Sequence, residues 1–170
     1  GRTFHRWGEA IIPPGRNQDR WQNRSNYIWY GLVETESELP GAGKELSMYT
    51  NERYFGPKGV KTRRYTYRID GFASVSAPYG GGSILTRPLI FSGTKLVLNI
   101  STSAAGSIRV GVRTVDGQPV QGLRSSQCQV IYGDEIKRQV KWKGEADIGS
   151  LQRKPVRLLF RLRDAHLYSF

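Results

Sequence analysis

Period-two alternation runs through the second half of the chain. In 95–102, Leu96, Leu98 and Ile100 take one side while Val97, Asn99 and Ser101 take the other. In 107–114, Ile108, Val110 and Val112 oppose Arg109, Gly111 and Arg113. In 155–163, Val156, Leu158, Phe160 and Leu162 oppose Arg157, Arg161 and Arg163. Such alternation marks strands with one face in a core and one in water. Further strands are predicted at 66–76, 83–91, 136–142 and 167–170. Ala104-Ala105-Gly106 has the length of a tight hairpin between the first two runs. Asp116-Gly117-Gln118-Pro119 is a turn, because Asp-Gly supplies positive φ and Pro ends the pairing. Seven or eight short strands predict an all-β chain whose main domain, residues 61–170, is an antiparallel β-sandwich of jelly-roll type.

Residues 1–60 read differently. Trp7, Trp21, Tyr27, Trp29, Tyr30, Tyr49, Tyr54 and Phe55 crowd together, interrupted by Pro13-Pro14-Gly15 and Gly41-Ala42-Gly43. Strands are predicted at 27–33 and 45–49, with a polar loop over 16–25. Each large aromatic covers on the order of 150–250 Å² when buried, more in total than so few strands enclose. The segment therefore reads as an aromatic-rich β extension, the end of another domain, with self-association as one outlet for its surface.

Composition sharpens this picture. The 170 residues are 38% hydrophobic and 11% aromatic, and the 20 glycines and eight prolines are scattered rather than repeated. No run of about 20 apolar residues exists, so no membrane-spanning helix is expected. Twenty-six Lys and Arg face 14 Asp and Glu, a formal charge of +12. Residues 1–64 hold eleven basic and seven acidic side chains, and 65–170 hold fifteen and seven. The excess is thus on folded surface, which attracts polyanions: nucleic acid, anionic lipid or acidic polysaccharide. One cysteine permits no internal disulfide, and two histidines make no His-rich metal site. The start at Gly1-Arg2-Thr3-Phe4 has no signal peptide, which reads as an intracellular protein or, in better accord with the aromatic segment, as a piece of a longer one.

Several stretches carry a family likeness. Arg6-Trp7-Gly8-Glu9-Ala10, Pro14-Gly15, Asn23-Arg24-Ser25-Asn26-Tyr27 and Glu45-Leu46-Ser47-Met48-Tyr49 resemble the last blade of glycoside-hydrolase-like proteins with a five-bladed β-propeller, related to the invertase and arabinanase groups. Arg64-Tyr65-Thr66-Tyr67-Arg68-Ile69-Asp70-Gly71-Phe72, 98–106, Gly133-Asp134-Glu135-Ile136 and 164–170 resemble the β-sandwich that follows that propeller. The resemblance implies that the earlier blades carry most of the acidic catalytic residues, so this chain alone holds no complete active site. It implies an upstream catalytic propeller as partner and a poly- or oligosaccharide as ligand. A signal peptide on the parent protein would make it secreted or periplasmic.

Glycoside hydrolysis needs two facing carboxyl groups. Glu9, inside the otherwise apolar stretch 7–12, is the early candidate for an acid, although an ion pair with Arg6 or Arg24 is the favoured reading. Glu34, Glu36 and Glu38 alternate and read as solvated. No Gly-x-Ser-x-Gly is present, and Cys128 reads as a buried structural thiol. Gly80-Gly81-Gly82 lacks the Lys-Ser/Thr of a phosphate loop and reads as a turn. Asp134 and Glu135 are the candidates for a structural calcium, and no other cofactor is expected.

Sugar rings stack their C–H faces on exposed aromatics. Tyr79, beside Gly80–Gly82, and Tyr132, beside Gly133, are the aromatics expected on loops, whereas Trp142 reads as core. Arg109, Arg113, Arg157 and Arg161 form a basic stripe if their strands are neighbours, against the plainer reading of a solvated face that deters edge pairing. The function expected is a non-catalytic carbohydrate-active module. The alternative is a polyanion-binding or capsid-like jelly roll, for which Arg63-Arg64-Tyr65-Thr66-Tyr67-Arg68 interleaves charge and rings.

Overall fold

The computed structural model describes residues 2–6, 8–22, 25–29, 31–39 and 43–170, without the side chain of Glu145. Trp7, Asn23, Arg24, Tyr30, Gly41 and Ala42 lie outside the described residues. The chain is all-β and antiparallel, sandwich-like, and divides into two compact units, Gly1–Ile69 and Asp70–Phe170.

The first unit holds strands β1 (Val33–Glu36), β2 (Lys44–Glu52) and β3 (Lys61–Tyr67) in the order β1-β2-β3. Residues 61–67 belong here rather than with the second unit because β3 pairs along β2, from Leu46↔Tyr67 to Glu52↔Lys61. The expected strand over 66–76 therefore stops at Tyr67, and Asp70 turns the chain with φ 53°. Tyr27–Val33 is not one strand: Ile28 makes a single bridge to Thr50, and β1 begins only at Val33. Met48 and Ile12 are the buried apolar residues of this unit among those described, beside buried Ser25, Ser47, Thr50, Asn51 and Glu52. Trp21 and Trp29 are each more than half exposed.

The second unit is built on two long strands, β6 (Val97–Thr114) and β8 (Val156–Ser169). They are joined in one sheet by β7 (Asp134–Gln139) on the free edge of β6, and by β4 (Val75–Ala77) and β5 (Gly82–Leu85) on the free edge of β8. One face carries the core. Leu98, Ile100, Ile108, Val110, Val112, Val156, Leu158, Phe160 and Leu162 are all buried, and Leu96 packs partly buried against them. Leu123, Cys128, Ile131, Val140, Trp142 and Ile148, from the segment between β6 and β8, complete the cluster, with Ile131 and Leu123 bonded along the edge of β6. Within that segment Cys128 bridges Trp142, whose indole Nε1 donates to the Val110 carbonyl at 2.9 Å. The alternation thus predicts the core correctly, Trp142 included, and Cys128 is the buried thiol expected of it.

The hairpin expected at 104–106 does not form. Both runs pair with the same partner: Thr102 lies opposite Ala165 and Ser107 opposite Arg163, so four residues of β6 bulge out against Asp164 alone. Gly106 makes this possible. It is buried against β8, where a Cβ would overlap the Asp164 carbonyl oxygen and lie 2.9 Å from Thr102 Cβ. Asp164 accommodates the bulge with φ 43°, and the runs at 155–163 and 167–170 become one kinked strand. The Asp116-Gly117 turn is present, with the Thr114 amide donating to Gln118 O and Gly117 N to Thr114 O, each at 2.9 Å.

Candidate functional site

The outward face of the second sheet gathers most of the residues singled out in the sequence. Successive strand residues point to opposite faces, so the buried row of β8 leaves Arg157, Leu159, Arg161 and Arg163 pointing away from the core. Antiparallel pairing sets them beside β6 in register: Ser107↔Arg163, Arg109↔Arg161, Gly111↔Leu159 and Arg113↔Arg157. The basic stripe therefore exists, and its arginines sit directly opposite one another in pairs.

The guanidiniums are held by backbone carbonyls. Arg109 Nη1 donates to Cys128 O at 3.1 Å and Arg113 Nη1 to Gly117 O at 2.7 Å. Arg157 Nε donates to Val115 O at 3.1 Å. A guanidinium has five N–H donors, so each keeps most of its capacity. Among the described residues none of Arg109, Arg113, Arg157, Arg161 and Arg163 has a carboxylate within 4.0 Å. Beside them, Gly111, Arg113, Arg124, Ser125, Leu159 and Arg161 line a groove of about 200 Å³. Its floor is tight, because Ser125 N lies 2.8 Å from where a Cβ on Gly111 would be.

Tyrosines flank one end. Tyr79 follows β4 at a turn closed by Gly81 N donating to Pro78 O at 2.8 Å. Arg163 holds it twice: its guanidinium carbon is 4.0 Å from the Tyr79 ring centroid and its Nε donates to Tyr79 O at 3.2 Å. The ring is still 59% exposed. Tyr132 is 62% exposed, next to buried Ile131, which pairs with Ile108. Alternation places Tyr132 outward beside Ser107. Tyr79, Arg163, Ser107 and Tyr132 thus make a row crossing about three strand spacings, roughly 14 Å.

The other candidates lie elsewhere. Glu9 is exposed and outside any strand, so the buried acid considered for it does not exist. Asp134 is exposed at the start of β7, and Glu135 Oε1 accepts from Arg138 Nη1 at 2.6 Å. Among the described residues no three His, Cys, Asp or Glu side chains gather as a metal site, so Asp134 and Glu135 are not joined by further ligands. Glu34 is exposed and pairs with Lys44 at 2.7 Å, and this hydrogen bond raises the Lys44 pKa. The Cys128 thiol is buried, and desolvation pushes its pKa up.

Sequence reasoning missed Glu52. Its side chain is 1% exposed and accepts from Arg63 Nε at 2.5 Å and Arg63 Nη2 at 3.1 Å, with Arg20 Nε at 3.7 Å. The bond to Glu52 raises the Arg63 pKa. The available signal was the inward row Leu46, Met48, Thr50, Glu52, whose period runs on past its last apolar member. The Tyr79–Arg163 stack had no signal, since 84 residues separate the two.

No family model, curated protein or solved structure matches the chain.

Proposed function

We propose that the chain is a non-catalytic carbohydrate-active module, in which the outward face of the second unit binds glycan and the first unit docks on the catalytic propeller of a glycoside-hydrolase-like protein. The observation that carries the glycan reading is Tyr79. One side of its ring is occupied by the Arg163 guanidinium, which fixes its orientation, while much of the ring stays open to solvent. A pinned, exposed ring is what a sugar's C–H face needs, because little side-chain entropy remains to be lost on binding. The exposed rings of Trp21, Tyr27, Trp29 and Phe55 support a docking surface in the first unit.

The carboxylates support a non-catalytic role. Asp19, Glu34, Glu38, Glu45, Glu52 and Glu135 are each engaged by a lysine or arginine, Glu38 and Glu45 by the same Arg64, which neutralises the one place where two of these carboxyl groups approach. The chain is expected to retard in gels containing a polysaccharide, to lose that retardation on Tyr79→Ala, and to turn over no chromogenic glycoside. Absence of retardation across a panel of neutral and acidic polysaccharides would overturn the glycan reading. Turnover by the 170-residue chain would overturn the non-catalytic one.

A further inference from the structure

Sheets normally avoid like charges directly opposite each other, because the pair repels. This sheet does the reverse twice on one face, with Arg109 opposite Arg161 and Arg113 opposite Arg157. The two pairs are four residues apart along the strands, about 13 Å. Between them Gly111 lies opposite Leu159, with Ser125 packed over Gly111 and Arg124 also lining the groove. Arg109, Arg113 and Arg157 are oriented by the carbonyls of Cys128, Gly117 and Val115, and each has donors to spare.

We infer that this face binds an acidic polysaccharide, each cross-strand arginine pair clamping one sulfate or carboxylate group while the intervening sugar rests on Leu159 and Ser125. The inference rests on the glycan reading above and adds the charge of the ligand. Arginine's fork matches planar or tetrahedral oxyanions with paired N–H donors. The anion relieves the repulsion that the register imposes, so binding and strand pairing favour the same arrangement. No aromatic side chain lines the groove. Single-stranded nucleic acid binders stack bases on such rings, and this face gives them none between the arginine pairs.

The test uses the whole chain, titrated with dextran sulfate, polygalacturonate, a neutral glucan panel and single-stranded DNA at physiological salt. Arg109→Gln/Arg161→Gln is expected to weaken binding to at least one acidic polymer by about tenfold or more, the size of one lost charge-assisted pair. Lys137→Gln/Lys141→Gln removes the same charge at exposed positions outside the two arginine pairs and the groove between them, and is expected to cost about threefold or less. Arg109→Lys/Arg161→Lys keeps the charge, loses the fork, and should resemble the glutamine pair. Thermal melts establish that each variant is folded. Equal losses in the arginine and lysine variants would reduce the site to diffuse charge and overturn it, as would DNA binding tighter than any polysaccharide. Neutral-glucan binding that Tyr79→Ala abolishes and the arginine variants leave intact, with no acidic polymer bound, would sink this inference while the glycan reading stands.

Discussion

In the first unit Arg20, Arg53, Arg63 and Arg64 each meet a carboxylate, at distances from 2.5 to 3.7 Å, whereas among the described residues the outward arginines of the second unit meet backbone carbonyls and the Tyr79 ring but no carboxylate. The interiors differ in the same sense. The second unit buries a continuous apolar cluster, while the first buries Thr50, Ser47 and Glu52 beside Met48. Ser25 Oγ, Thr50 Oγ1, Asn51 Oδ1 and Tyr65 OH are buried there without a hydrogen-bond partner among the described residues. Charge in the first unit is consumed in holding three strands together. The second unit is held by its core, which leaves charge on the other face free for a ligand.

That contrast is broken most directly by removing core from the second unit. Phe160 is fully buried and central, so Phe160→Ala is expected to cost about 3–5 kcal/mol in a denaturant titration. A loss under about 1 kcal/mol would mean that the apolar cluster is not what stabilises this unit.

In the first unit the equivalent blow falls on a polar residue. Arg64 bonds Glu38 and Glu45 at 2.7 Å, Ser47 at 2.8 Å and Thr35 at 3.1 Å, joining all three strands on one face. Arg64→Gln leaves the mostly buried Glu45 carboxylate without its cation. The expected cost is about 1–3 kcal/mol, read by the same titration. Unchanged stability would show that this lattice is decorative and that the two units are held alike.

How much of this was legible depends on which face a residue occupies. Where apolar side chains alternate, as in 107–114 and 155–163, strand position, burial and the outward arginines all followed from period two. What failed was pairing. Ala104-Ala105-Gly106 looks like a hairpin turn because sequence shows only the loop's length, while the bulge depends on Gly106 meeting the Asp164 carbonyl from a strand about 60 residues on. The stripe of Arg109, Arg113, Arg157 and Arg161 was conditional for the same reason: neighbouring strands are a fact of register. In the first unit the inward row turns polar at Thr50 and Glu52, so period two lost its contrast where the ion pairs take over.

A third measurement sharpens the contrast through Cys128, inside the second core. Burial raises its pKa, with a backbone hydrogen bond from Val110 and the charge of Arg109 opposing. The unfolded thiol therefore ionises first. The stability that this adds is whole below the unfolded value, about 8.5, and is lost as pH rises from there through the folded value. Stability of the unmodified chain should fall more steeply between pH 8 and 10 than that of Cys128→Ala, by denaturant midpoint at each pH. Parallel curves would mean that the thiol reaches water. The folded protein should also resist iodoacetamide at neutral pH until denaturant is added.

The smallest effect separates the units most cleanly, because its sign is reversed. Arg161 is exposed and lies opposite Arg109 on the same face. Removing it deletes a repulsion and breaks no ion pair, whereas removing Arg64 breaks two. Arg161→Gln is therefore expected to leave stability unchanged or raise it by up to about 0.5 kcal/mol, the scale of a like-charge cross-strand pair. Raising the salt should erase the gain, since exposed charges are screened over about 8 Å at physiological ionic strength and over less above it. A loss comparable to that of Arg64→Gln would show that Arg161 is bound within the fold and that the face carries no charge in reserve.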